Sequence, residues 1–173
     1  METIQQVRNL LPYFRIADEE AKKSPCIRRQ YGAVIVWPEG DFDNYVVGAN
    51  YRLSDCCNGV CVRNTYNTFH GGRVELGAEV HAETAALIKY PGNKDNSLMV
   101  LAGWIGDKML TGSDVYACHT CSLNLKFAGF DYIYIRDDAG VITPVLVKDM
   151  IARREAEWID DRENTTGYGT DQR

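Results

Sequence analysis

The chain has 173 residues, a formal net charge of -5 and 45% hydrophobic residues. That length suits one domain whose core can bury most of its apolar side chains. The acidic balance argues against a general electrostatic grip on nucleic acid or on an anionic membrane. No apolar run reaches the roughly 20 residues that a membrane-spanning helix requires.

The first residues, "METIQQVRNLLPYF", carry early charge and lack the apolar core of a secretory signal, which predicts a cytoplasmic protein. Residues 2–23 place Ile4, Val7, Leu10, Leu11, Phe14, Ile16 and Ala17 close to helical spacing, with Pro12 expected to bend or restart the helix and "SPC" to stop it. "YGAVIVW" (31–37) reads as a buried strand and "DNYVVGAN" (43–50) as its partner across a "PEGD" turn. Residues 51–78 lack periodicity and form a long loop holding three cysteines and one histidine, the kind of segment that is functional or tied down. A helix follows over about 80–90, ended by Pro91-Gly92, and then a strand over 97–104. "GDKMLTGSDVYA" reads as irregular, "CHTCSLNLKFAGF" as a helix closed by Gly129, "DYIYIRD" as a strand, and 144–159 as a last helix with Pro144 in its first turn. The polar end is expected to fray, leaving one domain over 1–160 and a tail over 161–173. Two strands followed by alternating helix and strand make this an α/β chain with helices covering a central sheet.

Chemistry concentrates in two short stretches. Six cysteines in a reducing compartment favour metal binding or catalysis over cross-links, with solitary structural thiols as the plain alternative. "CHTC" sets Cys118 and Cys121 three apart at a helix start, on one face, where the helix dipole favours the thiolate that binds metal. "EVHAETAAL" opens a second helix with His81, and the three donors make a zinc set that leaves a fourth position open to water. Glu83 follows His81 by two, close enough at a first turn to face the same cavity and shuttle a water's proton. H-x-E followed by P-C-x-x-C is the pattern of zinc nucleobase deaminases, and this chain has both parts, each opening a helix, apart from the proline. Either half alone is weak, since C-x-x-C also suits a thiol-redox pair or half of a structural zinc site.

With these motifs the chain resembles the cytidine and deoxycytidylate deaminase superfamily, and within it the deoxycytidylate (dCMP) deaminases. "SPCIRRQYGAVIV", "GAN", "CCNGVCVR", "GGRVELGAEVHAETAAL" and "ACHTC" carry the likeness in order, over roughly residues 5–136. The resemblance implies a three-layer sandwich with a central mixed sheet flanked by helices. It implies zinc held by His81, Cys118 and Cys121, Glu83 as the proton shuttle, and water attack at C4 of a cytosine ring with loss of ammonia. Asn50 would hold the sugar and the backbone of Ala82 would meet the base. Arg29 and Arg52 are candidates for a phosphate, for which an arginine fork is suited, with solvated surface arginines as the alternative. A second, structural zinc would draw on Cys26, Cys56, Cys57, Cys61 and His70, against free thiols without metal. A homohexamer regulated by dCTP and dTTP with Mg2+ is likewise implied by the resemblance.

Departures from that pattern are Ala117 in place of a proline, Tyr51 after "GAN", Gly77 in place of a cysteine, and the insertion 103–116, "GWIGDKMLTGSDVY". The insertion bears on substrate identity, with a free cytidine nucleoside, a modified cytosine nucleotide, guanine or tRNA adenosine as the alternatives to deoxycytidylate. A non-catalytic zinc module is the contrasting reading, and it has no need of Glu83. Tyr134 and Arg136 are expected to serve strand packing, or else to face a nucleotide.

Overall fold

The computed structural model describes residues 9–52, 59–61, 63 and 79–164, with 157–164 described by backbone alone. In chain order these give α1 (Leu11–Lys22), β1 (Gln30–Glu39), β2 (Phe42–Ala49), β3 (Tyr51–Arg52), β4 (Glu79–Val80) and α2 (Ala82–Lys89). There follow β5 (Leu98–Ile105), β6 (Lys108–Met109), a 3-10 turn at Gly112–Val115, α3 (His119–Phe127), β7 (Tyr132–Arg136), β8 (Ile142–Leu146) and α4 (Val147–Asn164). The main sheet runs β2-β1-β5-β7-β8, with β6 folded back on β5. Only the β5–β7 pair is parallel among these described strands, so the sheet is mixed.

Alternation along the strands sorts the apolar side chains into two cores, because successive residues point to opposite faces. Ala33, Ile35, Met99, Leu101, Ile133 and Ile135 meet Ala82 and Ala86 of α2, Cys121 and Leu125 of α3, and Val147 and Met150 of α4. Val34, Val100 and Ala102 face the other way, onto Leu10, Phe14 and Ala17 at α1. The result is the expected α/β arrangement in three layers, with a central mixed sheet flanked by helices. No helix among the described residues is long and apolar enough to cross a membrane.

Two contacts fix the helices to the sheet. A Cβ on Gly48 of β2 would stand 2.3 Å from the Ala82 carbonyl oxygen and 2.4 Å from the Ala86 nitrogen, so α2 rests on bare strand backbone. On the opposite face Arg136 donates to both carboxylate oxygens of Asp18 (2.9 and 2.6 Å), and the Trp104 indole shares one of them at 2.9 Å. Arg136 is therefore committed to α1, and Tyr134 packs against the core on that same side.

Several boundaries differ from those read in the sequence. Pro12 sits in the first turn of α1, where a missing N–H costs nothing, so it starts the helix rather than bending it. Pro38 lies inside β1, past the last β5 partner at Val36, and the turn shrinks to Gly40-Asp41. Pro144 belongs to β8 and not to the last helix: β8 is an edge strand, where a residue without an N–H is tolerated. The segment read as irregular, 106–117, contains β6 and the 3-10 turn. The β3–β4 ribbon had no periodicity to betray it, being two residues long on each side. At the far end α4 continues to Asn164, so the first residues of the expected tail are helical. Cys56, Cys57 and His70, along with most of the loop 51–78, lie outside the described residues.

Candidate metal centre

Two helix starts converge beside β1 and β2. His81 is the N-cap of α2 and Cys118 the N-cap of α3, and Cys121 lies one turn further in. Both residues are extended at the cap, and this turns their side chains off the helix axis toward each other. The Sγ atoms of Cys118 and Cys121 each lie 3.4 Å from His81 Nδ1, and the three donor atoms fall within 4.8 Å of one another. Tetrahedral zinc with ordinary Zn–N and Zn–S bonds sets nitrogen and sulfur about 3.6 Å apart. One imidazole and two thiols at that spacing fit zinc, and no other such group occurs among the described residues.

The electrostatics favour a metal-ready set. The hydrogen bond from Cys121 holds the Cys118 thiol down at about 4, against the opposing effect of burial and with help from His81. Cys121 is correspondingly raised by Cys118 and by burial, so the sulfur pair shares one proton. The Cys121 backbone N–H also points at Cys118 Sγ (3.4 Å), and Thr84 Oγ1 lies 3.6 Å from Cys121 Sγ. Burial lowers His81, but its hydrogen bond to Cys118 and the nearby Glu83 and Glu79 outweigh that and leave it at about 9. A cation at this point would displace that proton and take over its role.

Glu83 is 5% exposed and is raised by burial, an effect His81 partly offsets. It opens into a cavity that it shares with His81, Ala82, Cys118, Asn50 and Arg29. Thus two of the three expected zinc donors, His81 and Cys118, line a single space with the expected proton carrier, the asparagine and one of the two expected arginines, while Cys121 lies behind them. Arg52 is on β3 opposite Glu79, outside the set of described residues lining it. Cys26 also lines the cavity, and its thiol donates to Glu79 Oε1 at 3.2 Å. Cys61 is buried.

Asn50 is used mainly by the protein itself. Its Oδ1 accepts from the Tyr31 N–H (2.7 Å), and its Nδ2 donates to the Arg29 carbonyl (2.9 Å) and to Glu79 Oε2 (3.0 Å). Arg29 turns its fork onto Asp114, reaching the carbonyl oxygen (3.2 Å) and Oδ1 (3.3 and 3.4 Å). Residues not singled out in the sequence complete the lining: Arg28, Arg63, Glu79, Tyr31 and Tyr116. Burial lowers Arg63, and the neighbouring Arg28 lowers it further, so two guanidinium groups stand near one another at this cavity. Glu79 had a signal in the sequence, being one strand period before His81. Arg63 and Tyr116 had none, because each arrives from a segment without periodicity.

No protein-family model matches the chain, and neither does any curated protein. Among solved structures it is similar to the cytidine deaminase from Mycobacterium tuberculosis, at 19% identity and a TM-score of 0.42, over 78% of this chain and 86% of that one. Two point mutants of that enzyme give TM-scores of 0.42 and 0.43 at the same identity.

Proposed function

We propose that the protein is a zinc-dependent hydrolase that deaminates a cytosine nucleotide, with deoxycytidylate as substrate. One observation carries the reading: a three-donor group, two of whose members line a cavity, and a buried carboxylate outside that group that lines the same cavity. A purely structural zinc site takes four protein ligands and has no use for Glu83. Zinc on His81, Cys118 and Cys121 would supply an open fourth position and lower the pKa of a water there toward about 7.

The remaining work falls to this chain's own side chains. Glu83 takes a proton from the attacking water and returns it toward the departing amino group, so that C4–NH2 and water become C4=O and ammonia. The raised affinity of the buried Glu83 carboxyl for a proton suits it to carry one between two sites. Arg28 and Arg63 both line the cavity, and guanidinium groups there suit a substrate that carries an anion, which supports a nucleotide over a nucleoside. The resemblance of the motifs to dCMP deaminases supports deoxycytidylate in particular. A hexamer, and control by dCTP and dTTP with Mg2+, rest on that resemblance alone.

Glu83→Gln tests the reading, because it keeps shape and hydrogen bonding but cannot carry the proton. The variant is expected to retain one zinc per chain at the centre and to lose dCMP turnover at least 100-fold. Turnover equal to the wild type would refute the proton-shuttle role. Activity confined to nucleosides would refute the anion assignment.

A further inference from the structure

The two sulfurs of the metal centre are not equivalent. Cys118 caps α3 and is among the described residues lining the cavity, whereas Cys121 lies one turn inside the helix, is 2% exposed and is not among them. The surroundings of Cys121 are apolar, since it shares a core with Ala82, Ala86 and Leu125. A thiolate held there keeps part of its charge, and a buried charge needs hydrogen-bond donors as well as a counter-ion. Cys118 has such a donor in the backbone N–H of Cys121, at 3.4 Å. Cys121 has one from the other helix, the Thr84 hydroxyl, at 3.6 Å. Thr84 comes three residues after His81, so the two share a face of α2. Cys121 Sγ therefore meets both, 3.4 Å from His81 Nδ1 and 3.6 Å from Thr84 Oγ1.

Either atom of the Thr84–Cys121 contact can donate while the sulfur is protonated, but a metal-bound sulfur can only accept. Among the described residues that sulfur is the one polar partner of the hydroxyl. Helix propensity does not explain a threonine here, because α2 is otherwise rich in alanine (Ala82, Ala85 and Ala86) and a β-branched residue is the poorer helix former. Resting on the zinc reading above, we propose that Thr84 is a positioning residue of the metal centre, whose hydroxyl donates to the Cys121 thiolate and fixes the place and charge of that donor. The hydroxyl draws electron density from the sulfur, so that a metal held there keeps more positive charge toward its open position near Glu83. Thr84 is not among the described residues lining the cavity, so it acts on turnover through Cys121 and not by touching substrate.

The test uses the full-length chain with Thr84→Val, which keeps the shape and removes the hydroxyl, and Thr84→Ser, which keeps the hydroxyl and removes the methyl. Each protein is loaded with Co2+, whose sulfur-to-metal charge-transfer band reports on the thiolates, and is separately titrated with zinc against a competing chelator. Thr84→Val is expected to move the band to longer wavelength, because a thiolate without its donor gives up charge more readily, and to weaken zinc binding about 10-fold. Its kcat for dCMP is expected to fall about 10-fold while KM stays within about 2-fold. Thr84→Ser is expected to match the wild type in band, affinity and kcat. A packing role predicts the reverse order, with valine like the wild type and serine impaired, and that order would overturn the proposal, as would an unchanged band in Thr84→Val. If Thr84→Val fails to fold, Thr84→Ala against Thr84→Ser makes the same comparison, and equal bands in those two overturn the assignment. A wild-type protein that binds metal but does not deaminate cytosine nucleotides refutes the deaminase reading alone, since band and affinity still decide the role of Thr84. A wild-type protein that binds neither Co2+ nor zinc refutes both.

Discussion

Gly48→Ala is a substitution of one methyl group that should act at a distance. The strand backbone at Gly48 accepts alanine, and the loss of glycine's freedom in the unfolded chain would alone stabilise the protein by about 0.5 kcal/mol. The new Cβ, however, would meet the Ala82 oxygen at 2.3 Å and the Ala86 nitrogen at 2.4 Å, against an ordinary contact limit of about 3.4 Å. Both atoms are helix backbone and cannot turn aside, so α2 must shift by roughly 1 Å, a displacement typical of overpacked cores. Overpacking costs about 1–3 kcal/mol, and the net loss is expected to be about 1–2 kcal/mol, read as a lower urea midpoint with an unchanged slope. His81 caps that helix and Glu83 lies in its first turn, so the shift also spoils the 3.4 Å spacing between His81 Nδ1 and the two sulfurs. Displacements of this size cost about 100-fold in turnover, and zinc affinity should fall about 10-fold. A midpoint, zinc affinity and turnover all equal to the wild type would refute the seating of α2 on β2 described above.

Four further outcomes follow from individual contacts. Asp18→Asn breaks a partly buried, two-pronged pair with Arg136 and weakens the Trp104 bond, and it should cost about 2 kcal/mol by urea denaturation. Cys118→Ser should abolish zinc binding at the centre, measured by metal analysis after dialysis against a weak chelator; full retention would remove Cys118 from the donor set. Burial pushes the Cys26 thiol up to about 11, so peptide mapping should show its alkylation at pH 8 to be about 100-fold slower than in the unfolded chain. The folded thiol keeps its proton longer than the unfolded one, so this group's contribution to stability is present below about pH 9 and is lost as pH rises toward 11. Arg63→Ala should raise the KM for dCMP about 10-fold and leave deoxycytidine turnover within about 2-fold, whereas equal effects on both would reject an anion contact.

Strands and helices with a long apolar pattern were legible before any coordinates. "YGAVIVW" has no alternation because both of its faces are covered, Val34 by α1 and Ile35 by α2 and its neighbours, and a short continuous apolar run is the mark of such a strand. Elements that owe their existence to tertiary partners were not legible. β3, β4 and β6 are two residues each, too short for any period to register. Pro144 misled for a physical reason: the same fixed φ and missing N–H suit a helix's first turn and an edge strand, and only the Tyr134 pairing distinguishes them. The side chains of β8 and the start of α4 therefore follow a pattern that the local sequence leaves open.

The centre was legible to a greater degree because metal ligation leaves short-range marks. His81 and Cys118 stand where a helix begins, and the C-x-x-C spacing puts Cys121 on the same turn, so each half can be read within four residues. What surrounds the donors depends on long-range placement, and there type alone misleads. Arg29 was a phosphate candidate by its charge, but 85 residues away in sequence Asp114 engages its fork, which gives it a part in holding the wall. Arg63 takes a cavity position with no local pattern to announce it. Asn50 shows the same thing within one side chain. Its type suits a hydroxyl ligand, while three of its hydrogen bonds go to Tyr31, Arg29 and Glu79, joining β1, the segment before it and β4 at the cavity mouth. Loss of Asn50 would thus disturb the wall and the arginine backbone as well as any sugar contact. Its mutation alone cannot separate those effects.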